Sequence, residues 1–455
     1  MLKHIRKICS VILCICILVL STAGCSGKNR TLTVLVDMEY QVLETFYTIE
    51  KAIADFEGVV ERAGIESVVF EFMPKEGVER ETAIDRIRTE IMSGKGPDVF
   101  LIACDGSRLY GNYTDMALFQ IPEKARESGL FLPLDEYIET AEHAEWDRFL
   151  PQIMEAGRTD EGQVFIPLSY TTRAALYRKS EFEHTPSKDM TWQQMLEDET
   201  LHDTAAVLSD GGELIDSGRK VYTTQFHPDF TLGDLADYKN EELLFTEEEL
   251  HRRVEECLEL YDYSLNEKLY EETGRSERYL GLRFNGLIFE DDLANGLTRE
   301  DTFTMVPLYS DDGGVTAQIM AYAAINRNTR RPEDAFTVID LLLKTNYQQA
   351  SIIFDFWILS DDGGASIHEG LMSKDYPMWT PGSRQVPGMD WYMSDENFAA
   401  FCNVRKSITN VQYLGALNSI LHEMMMDCYI AKSLGNDYTD IVSKAYNTMK
   451  FMVSE

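Results

Sequence analysis

The stretch SGKGPDVFLIACD, residues 93–105, decides how the first part of the chain is read. Its Gly-Lys-Gly start has the look of a phosphate-cradling loop. Such a loop requires GxxxxGK[ST] running from a strand into a helix, so that backbone N–H groups and the helix N-terminus face the phosphates. Here no Ser or Thr follows Lys95, and the order is reversed. Ile84, Ile87 and Ile91 recur at helical spacing before the glycines, and the apolar run 98–104 comes after them. The stretch therefore predicts a helix stop, with Gly94 in the left-handed C′ conformation, followed by a buried strand. Asp105 stands just past that strand's C-terminal end. In an open α/β sheet this is the edge where ligands bind; the other reading is that Asp105 caps the next helix.

Outward from this stretch, residues 31–38 and 67–74 read as strands, and Val42, Leu43, Phe46, Ile49, Ile53 and Phe56 share one helical face. The resulting β-α-β-α-β order implies a parallel sheet with helices on both faces. Residues 131–138 lead into a helical stretch, and 163–182 has two strand-like halves around Ser169–Arg173. Capping boxes at Thr191–Gln194 and Thr246–Glu249 open two helices, the second carrying Leu250, Val254, Cys257 and Tyr261. Residues 301–308 and 317–326 read as strands. Pro332 fits a first helical position before the stripe Phe336, Ile339 and Leu343, and 395–455 is mostly helical by periodicity. The acid-glycine stretches 209–212, 310–314 and 360–364 lack calcium-loop spacing and read as turns.

With 455 residues and 44% hydrophobic content, the chain is long enough for two cores. Its net charge of −35 repels phosphate backbones and argues against nucleic acid as a partner. The first 25 residues are a separate object. Lys3, Arg6 and Lys7 precede an uncharged apolar run, 8–20, which is short for a membrane span and fits the core of a secretory signal. STAGC then sets small residues before Cys25, a pattern similar to a bacterial lipoprotein signal, with Thr22 where Leu usually stands. On that reading residues 1–24 are removed, Cys25 is lipidated, and acyl chains hold the protein on the extracytoplasmic face of the membrane. Beyond Cys25, the remaining Cys104, Cys257, Cys402 and Cys428 show no CxxC or metal spacing, and disulfides and free thiols stay open alternatives.

The segments IMSGKGPDVFLIACD, FLPLDEYI, IPLSYTTRAALYRKSEFE, TWQQMLE, VPLYSDDGG and YAAINRNTRRPEDAFTVIDLLL occur in an order that resembles bacterial extracellular solute-binding proteins of family 1. These are the receptors of ABC importers, often for sugars. The resemblance covers nearly the whole chain after the signal and implies a two-lobed periplasmic-binding-protein-like α/β fold, each lobe a mainly parallel sheet flanked by helices. It implies a first lobe of 25–168 with 320–363 and a second of 169–319 with 364–455. Crossings then fall near Leu168–Arg173, Met320–Ala323 and Gly363–Ile367. Hinge closure would trap a small polar solute, most simply a carbohydrate, for delivery to the permease subunits, with the protein acting as a monomer and needing no cofactor. Carried over by motif, the site residues are Asp105, Tyr170, Thr171, Arg173, the stacking candidate Phe289, and Tyr413. For each aromatic, ordinary core packing is the competing reading. Where several sugar binders of this kind have Trp, this chain has Ile102. The Pro/Gly-rich aromatic stretch 376–397, with Trp379 and Trp391, could roof the cleft or serve as a docking feature.

No GxSxG, HExxH or Ser-x-x-Lys set with partners is present, and no two of the eight histidines have helical metal spacing. The chain is therefore expected to be a binder and not an enzyme. The alternatives are an extracytoplasmic glycosidase or other hydrolase, and a sensor lipoprotein that keeps the fold.

Overall fold

The computed structural model describes residues 31–37, 49–74, 77–104, 117–180, 182–209, 213–216, 219–222, 228–267, 302–344, 365–371, 373–376 and 393–455. The chain opens with strand β1 (Leu32–Asp37), helix α1 (Ile49–Arg62), strand β2 (Val68–Phe72), helix α2 (Gly77–Met92) and strand β3 (Val99–Ala103). β1 pairs in parallel with both β2 and β3, which is the β-α-β-α-β arrangement expected from the sequence.

The stretch 93–105 behaves as a lock between strands. Gly94 takes φ +73°, Gly94 N–H donates to Ile91 O at 2.9 Å, and Lys95 N–H donates to Glu90 O at 2.8 Å. These two bonds close the last turn of α2 in the manner of a Schellman stop. The Asp98 carboxylate then accepts the Thr33 N–H at 2.9 Å and the Thr329 hydroxyl at 2.7 Å. The Asn326 amide donates to the carbonyls of Lys95 and Pro97 at 2.8 and 3.0 Å. The loop's polar groups are thus turned toward neighbouring strands.

The chain continues through helices α3 (Pro122–Glu127), α4 (Asp135–Glu139) and α5 (Pro151–Glu155), and strands β4 (Arg158–Thr159), β5 (Gly162–Gln163), β6 (Phe165–Thr171) and β7 (Ala174–Arg178). Helices α6 (Trp192–Glu197) and α7 (Glu199–Ser209) precede the ribbon β8 (Glu213–Asp216) and β9 (Arg219–Tyr222), helix α8 (Pro228–Thr231), the ribbon β10 (Ala236–Asp237) and β11 (Glu242–Leu243), and helix α9 (Glu247–Glu267). Then come strands β12 (Phe303–Pro307) and β13 (Val315–Ile325), helix α10 (Pro332–Leu342), strand β14 (Ala365–Ser366), helix α11 (Asp395–Lys406), strand β15 (Ile408–Tyr413), and helices α12 (Ala416–Ser433) and α13 (Thr439–Ser454). Both capping boxes form: Thr191 and Gln194 exchange bonds at the start of α6, and Thr246 and Glu249 do so at the start of α9. Pro332 opens α10.

Among the described residues the principal sheet has seven strands in the order β14-β6-β13-β3-β1-β2, with β15 also on β13. β1, β2, β3 and β6 share one direction, and β13 runs against β3 and β6. The tail is mostly helical, as its periodicity suggests, but β15 interrupts it and lies parallel to β13. The alternation of buried and exposed residues in ITNVQY, with β-branched Ile408, Thr409 and Val411, is what a short strand at a sheet edge requires.

The larger core surrounds this sheet. A second apolar cluster joins Leu250, Val254, Cys257 and Tyr261 of α9 to Leu421, Met425 and Cys428 of α12 and Val442 and Met449 of α13. Cys257, Cys402 and Cys428 are free thiols. Among the described residues no helix is long and apolar enough to cross a membrane.

Arg253 of α9 is fully buried. It donates to Glu256 at 3.0 Å, to the Thr231 hydroxyl at 2.6 Å and to Asp311 at 2.6 Å, with its guanidinium 5.2 Å from the centre of the Trp192 ring. Removing the cation takes the shortest ion-pair partner from Glu256 and Asp311, leaving them Arg252 at 3.4 Å and, for Glu256, the Trp192 indole, so Arg253→Met should cost about 3 kcal/mol in urea unfolding. Arg86→Met, at an exposed pair with Glu71 and Glu90, should cost less than about 1 kcal/mol.

Candidate functional site

The segments expected to cross between lobes pair with one another. β6 runs beside β13, with Tyr170 opposite Ile319 and Ser169 opposite Ala321. β14 lies on the other side of β6, with Ala365 opposite Tyr170 and Ser366 opposite Ser169. The register of β13 slips twice, across Met320 and again between Ala321 and Tyr322. Past Thr171 the chain leaves this sheet, and β7 pairs instead with β12. β13 also changes partner on its other edge, from β15 over Val315–Ile319 to β3 over Ala321–Ile325.

A seam of buried polar side chains follows these strands. Asp229 of α8 accepts Gln318 Nε2 at 2.6 Å and Asn418 Nδ2 at 3.0 Å on the same oxygen, and its carbonyl accepts Gln412 Nε2 at 2.9 Å. The Thr172 hydroxyl donates to Thr316 O at 2.9 Å. The Arg173 guanidinium lies 5.6 Å from the centre of the Phe230 ring. Burial raises the Asp229 carboxyl above its ordinary value, opposed by the bonds from Asn418 and Gln318 and by the Arg173 charge. Burial, with the same Arg173 charge, holds His422 down at about 4.

This seam is under-satisfied. Among the described residues, nine buried side-chain polar atoms have no hydrogen-bond partner, and six of them lie on β6, β13 and β15: Ser169 Oγ, Tyr170 OH, Thr316 Oγ1, Tyr322 OH, Gln412 Oε1 and Tyr413 OH. Arg173 Nε, immediately after β6, is another. Each such group costs about 1–3 kcal/mol relative to a paired one, so their concentration on three neighbouring strands calls for a reason.

Tyr170, Thr171 and Arg173 are brought together at the β6 end and are buried. The Tyr170 phenol is pushed up by burial against the pull of Arg405. Tyr413 is the last residue of β15, whereas the sequence reading set it in a helical region. Its ring meets Phe165 and Tyr322 edge-on at 5.8 and 5.2 Å, and Phe165 stacks on Tyr322 at 4.5 Å. It is therefore packed in the interior with its hydroxyl unpartnered. Asp105, Phe289, Cys25 and residues 377–392 lie outside the described residues. At the neighbouring carboxyl edge, Asp37 ends β1 and is held by Arg80 at 2.9 and 3.1 Å, both buried. Sequence reasoning missed Asp229, Gln318 and Asn418, which come from distant parts of the chain and carry no spacing signal.

No known family profile matches the sequence, and no curated protein matches it. Among solved structures, the chain is similar to an extracellular solute-binding protein family 1 member from Alicyclobacillus acidocaldarius subsp. acidocaldarius DSM 446, at 12% identity over 94% of this chain and 99% of that one, with a TM-score of 0.48. It is similar to an ABC substrate-binding protein from Listeria monocytogenes in complex with cycloalternan, at 13% identity over 93% and 98% of the two chains, with a TM-score of 0.45. It is also similar to a de novo designed cysteine esterase, ECH19, at 13% identity over 94% and 99%, with a TM-score of 0.51. At these identities the likeness is one of fold.

The unpartnered hydroxyls give a direct test. Tyr322→Phe and Tyr413→Phe each remove a buried group that makes no bond, so the folded protein should melt at an unchanged or higher temperature, by up to about 1–3 kcal/mol of added stability. A loss beyond about 1 kcal/mol in either variant would mean that the hydroxyl has a partner.

Proposed function

We propose that the chain is the extracytoplasmic solute-binding lipoprotein of an ABC importer and that it captures a small polar solute, a carbohydrate, by closing two lobes about a hinge. The observation that supports this most is the pairing of β14, β6 and β13 at 365–366, 169–170 and 319–321, with a run of unpartnered buried hydroxyl, amide and guanidinium groups beside it. A polyhydroxylated molecule offers the donors and acceptors that such groups lack, and its C–H faces suit nearby rings such as Phe230. On this reading the lobes are 25–168 with 320–363 and 169–319 with 364–455. The solute meets Tyr170, Thr171 and Arg173, together with Asp229 and Gln318. Asp105 and Phe289 complete the site from segments on either side of it. Cys25 carries the lipid, and the closed form docks on the permease subunits.

A ligand that binds only the folded chain raises its stability by about 2.7 kcal/mol when present at 100 times its dissociation constant. A thermal-shift screen with mono- and oligosaccharides should therefore show an upward shift for at least one sugar, and Arg173→Ala should abolish that shift while leaving the melting temperature without sugar within a few degrees. No shift across a broad panel would sink the carbohydrate assignment. Cys25→Ala should move the protein from the membrane fraction to the soluble extracytoplasmic fraction; continued membrane association would count against the anchor.

A further inference from the structure

Helix α3 and the residues before it pack against the end of β15 and the start of α12. Gln120 O accepts the Ala416 N–H at 2.8 Å, and Lys124 Nζ donates to Met452 O at 3.0 Å. Asp160 pairs with Lys239. At the centre Glu123, 6% exposed, accepts the Tyr413 backbone N–H at 2.8 Å. All four contacts join residues assigned to the first lobe with residues assigned to the second.

The charged and titratable groups that act on Glu123 or feel it are Arg126 on its own helix, Asp234 and Tyr238 on either side of β10, Tyr413 on β15 and Tyr322 on β13. Arg126 is the one cation among these, and it is paired with Glu127 at 2.9 Å. Asp234 in turn faces Asp312. The buried Glu123 carboxyl thus meets the charge of Asp234, an exposed carboxylate on the facing segment.

We propose that docking of 120–127 onto 234–238 and 413–416 takes up a proton at Glu123, so that acid favours the closed form and alkali opposes it. The proposal rests on the two-lobe reading. Burial, reinforced by the charge of Asp234, pushes the Glu123 carboxyl from 4.5 up to about 7. An opened form that returns Glu123 to water restores its ordinary value. The raised carboxyl belongs to the closed form, so its contribution to closing is full below pH 4.5 and is lost as pH rises through 7. Between pH 8.0 and pH 5.5 this linkage shifts the closing equilibrium about 30-fold toward the closed form.

Small-angle scattering on the full chain tests it, at pH 5.5 and 8.0, with and without maltotriose as the probe solute. The expected result is a smaller radius of gyration at pH 5.5 without any sugar. Glu123→Gln, which keeps the side-chain shape, should shrink that difference, and Glu123→Gln with Asp234→Asn should remove it. Circular dichroism and melting of the single variant confirm that it is folded, so a misfolded double variant leaves the single one to decide. Equal radii at the two pH values in the unmodified chain, or a difference that Glu123→Gln leaves intact, would overturn the proposal. Compaction by maltotriose with no pH effect would sink proton uptake and leave the solute reading standing. A pH effect in a chain that no saccharide compacts would do the reverse.

Discussion

The structure depends on one backbone constraint: β13 is buried along all eleven of its residues, so its N–H and C=O groups must find partners on both edges. β6 serves one edge along most of that length, and β15 and then β3 share the other. Ala317, Ala321, Ala323 and Ala324 keep the strand slim. That leaves room for the stack of Phe165 on Tyr322 and the edge contacts of Tyr413 and Phe131 around it. The register slip at Met320 marks the place where the strand exchanges neighbours. A single strand thereby joins two sets of partners, and the polar seam lies where they meet.

Buried charges fix the segments that pack around this strand. The Asp340 carboxylate of α10 accepts the N–H groups of Glu142, His143 and Ala144 at 3.1, 3.0 and 2.9 Å and the Trp146 indole at 2.8 Å. It thereby seats the Trp146 ring on Phe336, 5.5 Å between centres. Asp37 with Arg80, and Arg253 with Glu256 and Asp311, act in the same way. The net gain from such pairs is small, because desolvation offsets attraction, whereas breaking one leaves a costly orphan. They therefore specify which surfaces meet more than they add stability.

Local chemistry was the most legible part of the sequence. The Gly94 stop, the two Thr-x-x-Gln/Glu boxes, Pro332 at a helix start and the β-α-β-α-β order all rest on interactions within a few residues, and all are present. β15 was hidden because six residues between two long helices carry too short an alternation to stand out. Of the seam, Tyr170, Thr171 and Arg173 were reached through the family resemblance, which carried them over by motif. Asp229 was not, since its partners Gln318 and Asn418 lie 89 and 189 positions away. A carboxylate whose environment comes from such distances leaves no local periodicity to read. Tyr413 shows the same limit: its sequence neighbours suggest a helix, and only pairing with β13 makes it the end of a strand.

The Asp98 lock also bears on the order in which the molecule is assembled. Its hydroxyl partner, Thr329, is 231 positions further along, and β3 receives its antiparallel neighbour from the same late stretch. A ribosome feeding the chain out from its beginning has released β1, β2 and β3 long before β13 exists. For that interval the bare edge of β3 presents unpaired N–H and C=O groups, open to wrong partners or to a holdase. Such distant closure makes for slow maturation, and a nascent chain that must wait this long stays pliable for as long as its keystone strand is still unmade.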